Sequence, residues 1–267
     1  MSSLRRLAPA VLYPDSHYKE KLNFRAKTLV CFSVTRPTNA RLAGFMFLFY
    51  IATGVAGTIL FGQATSGAQG TAATLASIAR HATTVRLTVV LGLLTFMDAV
   101  VLAVALYALT RDQDRDLAML ALCCRVGEGV IGTISAVSTL GLLSVAMAST
   151  AAAGPDAAAV HALGDLLLKA GGGYTLVGAT CFAVGSTLYS YLFLRARNVP
   201  GVLAWLGVLA SVLLVAGLPL QLAGFLSGPA TNFMWIPMAV FEVTFALWLL
   251  IKGVATTPKR ISPNWVT

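Results

Sequence analysis

Residues 87–109 read LTVVLGLLTFMDAVVLAVALYAL, twenty-three positions with one charged side chain, Asp98, near the middle. As a helix this run rises about 35 Å, enough to cross a hydrocarbon core of about 30 Å. It is continuously apolar rather than alternating, which excludes a strand of an outer-membrane barrel. Five further runs share its character: 42–61, 117–147, 174–194, 202–226 and 233–251. The expected fold is all-α, a polytopic membrane bundle of six transmembrane helices. The third run is longer than a bilayer needs, so it tilts or projects beyond the outer face. Composition agrees. Of 267 residues 57% are hydrophobic and 11% charged, whereas a soluble domain carries about a quarter charged residues to solvate its surface.

The net charge of +9 would suggest nucleic acid in a soluble protein, but here the basic residues flank apolar runs. Fifteen of the nineteen Lys and Arg fall on one side, in the N-terminal tail, the loops RDQDR and RARN, and the C-terminus. The other side holds Arg80, Arg86 and Lys169, and Arg125 lies inside a span. Basic residues stay in the cytoplasm, so both termini are expected there and no nucleic-acid partner is expected. The domains are then a basic cytoplasmic tail (1–40), a six-helix transmembrane domain (41–254) and a short cytoplasmic tail (255–267). No secretory signal is visible in the first 40 residues. The tail is expected to meet anionic headgroups, each basic residue near the surface contributing about 1 kcal/mol; a docking segment for a membrane protein partner is the alternative, and a homo-oligomer is open.

Short cytoplasmic links make spans two and three, and four and five, antiparallel neighbours. The first two outer links read as two short amphipathic helices. In 71–85, Leu75, Ile78 and Val85 recur at helical spacing; in 156–169, Asp156 follows Pro155 as an N-cap, and Val160, Leu163 and Leu167 form a stripe.

The stretches ARLAGFMFLFYIATG (40–54), LALCCRVGE (120–128) and FEVTFALWLLIKG (241–253) together resemble the bacterial membrane proteins of the domain-of-unknown-function 4386 family. The resemblance covers about residues 40–254 and implies a six-helix bacterial inner-membrane protein with no established activity. The family's fourth span is often preceded by a His beside an aromatic–Gly pair; this chain has GGGY at 171–174, so no role for that His carries over.

The informative residues are ionisable groups inside spans, each costing about 2.5–3.5 kcal/mol near the bilayer centre on insertion scales. Asp98 stands twelve residues from both Arg86 and Thr110; Glu128 lies twelve residues after Asp116; Glu242 lies ten before Lys252. All three sit near the midplane, with Arg125 one turn nearer the cytoplasm. Arg125 and Glu128, three apart, share a helical face and can pair. Asp98 and Glu242 then lack a counter-charge, and such carboxyls go neutral or share a proton. Two readings follow: a polar lock that fixes helix register, or a ligand-binding or proton-handling centre around Arg125 for an anionic or amphipathic guest.

Other chemistry is thinner. His161 and Asp165 share a helix face and His81 occupies the corresponding outer region, a weak set of metal candidates; no metal and no cofactor is expected. There is no HExxH, GxSxG or nucleotide loop, and no span contains a histidine to serve as base or haem ligand. Cys31, Cys123, Cys124 and Cys181 show no metal spacing. Gly171, Gly178 and Gly185, and Gly217 and Gly224, recur every seven residues as small-residue packing seams. Pro219 and Pro237 are expected to kink their helices, Pro237 alternatively marking a helix start. Trp205, Trp235 and Tyr174 fit interfacial belts. The expected function is a non-enzymatic ligand-binding, transporter-like or accessory membrane subunit; the alternative is a membrane enzyme using Glu128, Glu242 or Asp98 as acid or base on a lipid-like substrate.

Overall fold

A computed structural model describes residues 36–151 and 153–254. The chain runs through α1 (Arg36–Thr65), α2 (Gly70–Arg80), α3 (Ala82–Thr110), α4 (Arg115–Ser149), α5 (Pro155–Ala196), α6 (Gly201–Leu222), α7 (Ala230–Phe233) and α8 (Ile236–Ile251). Among the described residues, six segments are long and apolar enough to cross a membrane: α1, α3, α4, α5, α6 and the joined stretch Ala230–Ile251. The protein is an integral, multi-pass membrane protein. Large apolar side chains such as Val104, Val137, Leu166 and Leu209 face outward from the spans, the surface that lipid covers. Of the expected tails, residues 36–40 belong to α1; the rest of the N-terminal tail and 255–267 lie outside the described residues.

The spans close into a ring in the order α1, α3, α4, α5, α6, α8 and back to α1. Two antiparallel pairs, α3 with α4 and α5 with α6, follow from four-residue links that leave no room for any other arrangement. The link after α3 ends at Asp114, whose side chain accepts a hydrogen bond from Leu117 N at 3.1 Å and caps α4. Arg36 donates to Leu109 O at 3.0 Å and approaches Asp112 at 3.7 Å, while Arg195 reaches Asp114 at 3.4 Å. A Cβ on Gly253 would lie 3.9 Å from that of Ala40, so both ends of the described chain meet at this end of the bundle, hereafter the termini end. Asp114→Ala should cost about 1 kcal/mol, the loss of one N-cap, because the exposed Arg195 pair adds little; chemical unfolding in detergent measures it.

One element departs from the sequence reading. The first outer segment is a separate helix, α2, interrupted at His81. The second is not separate: 156–169 continue into the fourth span as α5, 42 residues, about 63 Å long at the helical rise. Gly171–Gly173 each weaken a helix by about 1 kcal/mol, but no proline interrupts the hydrogen-bond ladder there. Packing against α4 along its length and against α2 outweighs the glycines. The cap also differs: Pro155 takes the first helical position behind Gly154, and Asp156 sits in the first turn without capping. Pro237 marks the start of α8 rather than a kink, and Pro219 lies inside α6, one turn from its end.

The two halves of the bundle are filled differently. Toward the termini end Phe245 is the hub of an aromatic cluster, 5.8 Å from Phe47, 5.1 Å from Phe193 and 5.2 Å from Phe241 between ring centroids. Around it Leu102, Leu106, Leu214 and Leu249 are buried. The far end has its own smaller cluster, where Leu75 and Ile78 of α2 pack with Val85, Leu142 and Ala146. Between the two clusters the ring is hollow.

Small residues set how closely the spans approach. A Cβ at Gly44 would lie 2.7 Å from Ala246 O and 2.8 Å from Leu250 N, so α1 and α8 meet backbone to backbone there. The expected seam on α5 holds at two of its three positions: Gly178 abuts Ile131 and Gly185 abuts Arg125, whereas Gly171 faces open space. Of the expected pair 217 and 224, Gly217 packs against Met234, whereas Gly224 lies past α6 with φ +81, a turn position that favours glycine.

Candidate functional site

Arg125 on α4 is 1% exposed, and everything about it is local accommodation of a charge. Its stem lies where a Cβ on Gly185 would be, 3.1 Å from Arg125 Cγ, so the glycine makes the space. Its guanidinium carbon sits 4.8 Å from the Phe182 ring centroid and 5.2 Å from that of Tyr50, both within cation–π range. Nη1 lies 2.9 Å from Glu128 Oε2, the pairing that the three-residue spacing predicts. That contact is ionic rather than a directed hydrogen bond: Nε, Nη1 and Nη2 have no hydrogen-bond partner among the described residues. Tyr50 on α1 donates its hydroxyl to Glu128 Oε1. Tyr50, Glu128 and Arg125 thus form one unit that ties α1 to α4 and, through Phe182, to α5.

The other two acids belong to the same centre. Glu242 on α8 is buried, interacts electrostatically with Arg125 and Glu128, and its Oε1 has no partner among the described residues. Asp98 on α3 is buried, feels Arg125, and neither of its oxygens is partnered among the described residues. The four ionisable residues read at matched depth are therefore all buried, three acids around one base.

The hollow above this centre is a cavity of about 700 Å³, within the range of small-molecule sites. Glu128, Glu242, Tyr50 and Phe182 line one end of it, and Leu142, Thr139 and Thr88 the other. From Glu128 to Leu142 is fourteen residues of α4, about 21 Å of depth. The walls carry Gly54, Gly57, Gly92, Gly132, Gly171 and Gly172, whose missing side chains leave the space open. Arg125 and Asp98 do not line it: Tyr50 and Phe182 stand between Arg125 and the cavity. Of the four ionisable candidates, Glu128 and Glu242 line the cavity, and Arg125 and Asp98 do not.

The weak metal candidates do not converge. His81 Nδ1 lies 2.9 Å from Ser77 O, and Asp165 is taken by Lys169 at 2.7 Å and by Thr71 at 3.3 Å. No group of three His, Cys, Asp or Glu arranged for a metal occurs among the described residues.

Residues 42–253 match a family described as a domain of unknown function, DUF4386. The chain belongs to that family. No curated protein and no solved structure matches it. In this DUF4386 protein the match covers all six spans, so the chamber and its charged floor fall within the family domain.

Tyr50, Phe182 and Gly185 complete the centre, and none is singled out by charge or motif. Tyr50 carries a signal in retrospect, a hydroxyl placed mid-span on α1. Gly185 carries the seven-residue glycine spacing, which marks a seam but not the Arg125 stem that fills it, and Phe182 carries no signal. Trp235 and Tyr174, read as belt residues, line the cavity, and Trp235 lies 6.2 Å from Phe182 between centroids.

Proposed function

We propose that this protein is a non-enzymatic binding protein of the bacterial inner membrane, holding a small amphipathic molecule inside its helix ring. The observation that carries the reading is the cavity itself: about 700 Å³ at membrane depth, apolar and small-residue walled, with two buried carboxyls at its floor. Uncompensated acids are expensive in a bilayer, and packing alone asks for no void beside them. Tyr50, Glu128 and Arg125 act as the register lock, while Glu242 and the open face of Glu128 act as the binding surface. Both sequence readings are kept, on different residues.

In this reading the termini end faces the cytoplasm, in keeping with fifteen basic residues against three. The tail then meets anionic headgroups or a membrane protein partner, and the chamber opens its walls to the outer half of the bilayer.

Gly132→Leu tests the reading. Gly132 lines the chamber and a Cβ there meets nothing within 4 Å, so a side chain can enter the chamber from this position, and leucine also removes a helix-weakening glycine worth about 1 kcal/mol. The expected result is unchanged or raised thermal stability together with loss of the molecule that co-purifies with the wild-type protein, read by native mass spectrometry. Retention of that molecule in the variant, or turnover of a lipid substrate dependent on Glu128, would overturn the proposal.

A further inference from the structure

The chamber floor has more carboxyls than bases, and this selects the head group of its guest: a buried carboxyl without a counter-charge goes neutral, and a cation that supplies the charge lets it ionise. Glu242 is 8% exposed, lines the cavity and leaves Oε1 without a partner among the described residues. Glu128 Oε2 is held by the Arg125 ion pair at 2.9 Å without a directed hydrogen bond. The one base, Arg125, lies behind the floor against Glu128, and the Tyr50 hydroxyl is already given to Glu128. One base therefore serves three acids, and Glu242 reaches the cavity floor without a cation of its own.

Four wall threonines hold their hydroxyl protons on their own helices. Thr58 donates to Gly54 O at 2.9 Å, Thr88 to Val85 O at 2.7 Å, Thr139 to Ser135 O at 3.0 Å and Thr175 to Gly171 O at 3.0 Å. Each spends its only hydroxyl proton on its own helix and keeps lone pairs for the cavity. Beside the acids stand the rings of Phe182 and Trp235, whose faces attract cations. An anionic head would meet two carboxyls with no free base; a neutral head would leave Glu242 without a counter-charge.

We infer that the guest is an amphipathic organic cation, its ammonium head on Glu242 and Glu128 and its apolar chain running up the glycine-lined walls. The inference rests on the chamber being a binding site, as proposed above. The same head group could belong to an amine-bearing lipid or to a soluble long-chain amine.

The test titrates the purified protein in neutral detergent with decylamine, decanol and decanoate, following tryptophan fluorescence and thermal stability. Decylamine is expected to bind at least tenfold more tightly than decanol, with decanoate weakest. Glu242→Gln should bring decylamine down to the decanol level without a change in melting temperature, and Gly132→Leu should weaken both. Equal or tighter binding of decanoate or decanol would overturn the cation while leaving the chamber standing. Binding of none of the three, or binding that Gly132→Leu leaves unchanged, would overturn both. In phosphatidylglycerol nanodiscs, competition by added phosphatidylethanolamine would assign the cation to the lipid, and absence of competition to a soluble amine, each supporting the class.

Discussion

Arg125→Met is expected to destabilise the bundle by about 3–5 kcal/mol, the cost of removing one member of a buried ion pair. The guanidinium is enclosed, so water does not replace it, and Glu128 keeps its place in the interior with Tyr50 attached. Glu242 and Asp98 lose the same counter-charge. Methionine keeps the length of the stem against Gly185 and still fills the gap between Tyr50 and Phe182, so the loss is electrostatic and not a cavity effect. Adding Glu128→Gln to Arg125→Met should recover more than half of it, since the worst-placed uncompensated charge goes with it. Unfolding in mixed micelles measures both; a loss under 1 kcal/mol in the single variant would show that Arg125 holds nothing together.

Gly44→Val is expected to cost about 3 kcal/mol, the upper end for overpacking. The new atoms would meet Ala246 O and Leu250 N, which are backbone and cannot rotate away. The ring would have to open between α1 and α8, where the first and last spans close it. Gly54→Val on the same helix is the matched control. Nothing lies within 4 Å of its Cβ position, so its stability should move by no more than about 0.5 kcal/mol. Equal effects at the two positions would mean that helix propensity, not the close approach, sets the cost.

The contrast between these positions explains what the sequence could carry. Depth in the bilayer is a one-dimensional property, counted in residues from the flanking charges, and so six spans and the matched depth of Asp98, Arg125, Glu128 and Glu242 were legible. The pairing of Arg125 with Glu128 was legible too, because three residues on one helix fix a face. Contacts between helices depend on the rotation of each span about its axis. A bilayer solvates the outward faces of these helices with residues as apolar as those inside, leaving little amphipathic signal to read that rotation. Tyr50 against Glu128 and Gly185 against Arg125 are contacts of this kind. The chamber was equally hidden: Gly44 and Gly54 look alike in sequence, yet one closes the ring and the other opens it. The continuity of α5 through Gly171–Gly173 was missed for the opposite reason, local propensity being overruled by packing against α4.

This division also sharpens what the four intramembrane charges are for. Arg125 belongs to the framework, and its replacement is a stability experiment. Glu242 belongs to the chamber, and its replacement is a binding experiment. An account in which all four serve one purpose would have the two variants fail together.

Native mass spectrometry of the protein ejected from its own membranes, wild type beside Gly132→Leu and Glu242→Gln, tests the central claim most directly. The expected result is a bound amphipathic amine on the wild type, absent from Gly132→Leu and depleted in Glu242→Gln, with all three proteins folded. The same adduct on all three, or none on any, would contradict it.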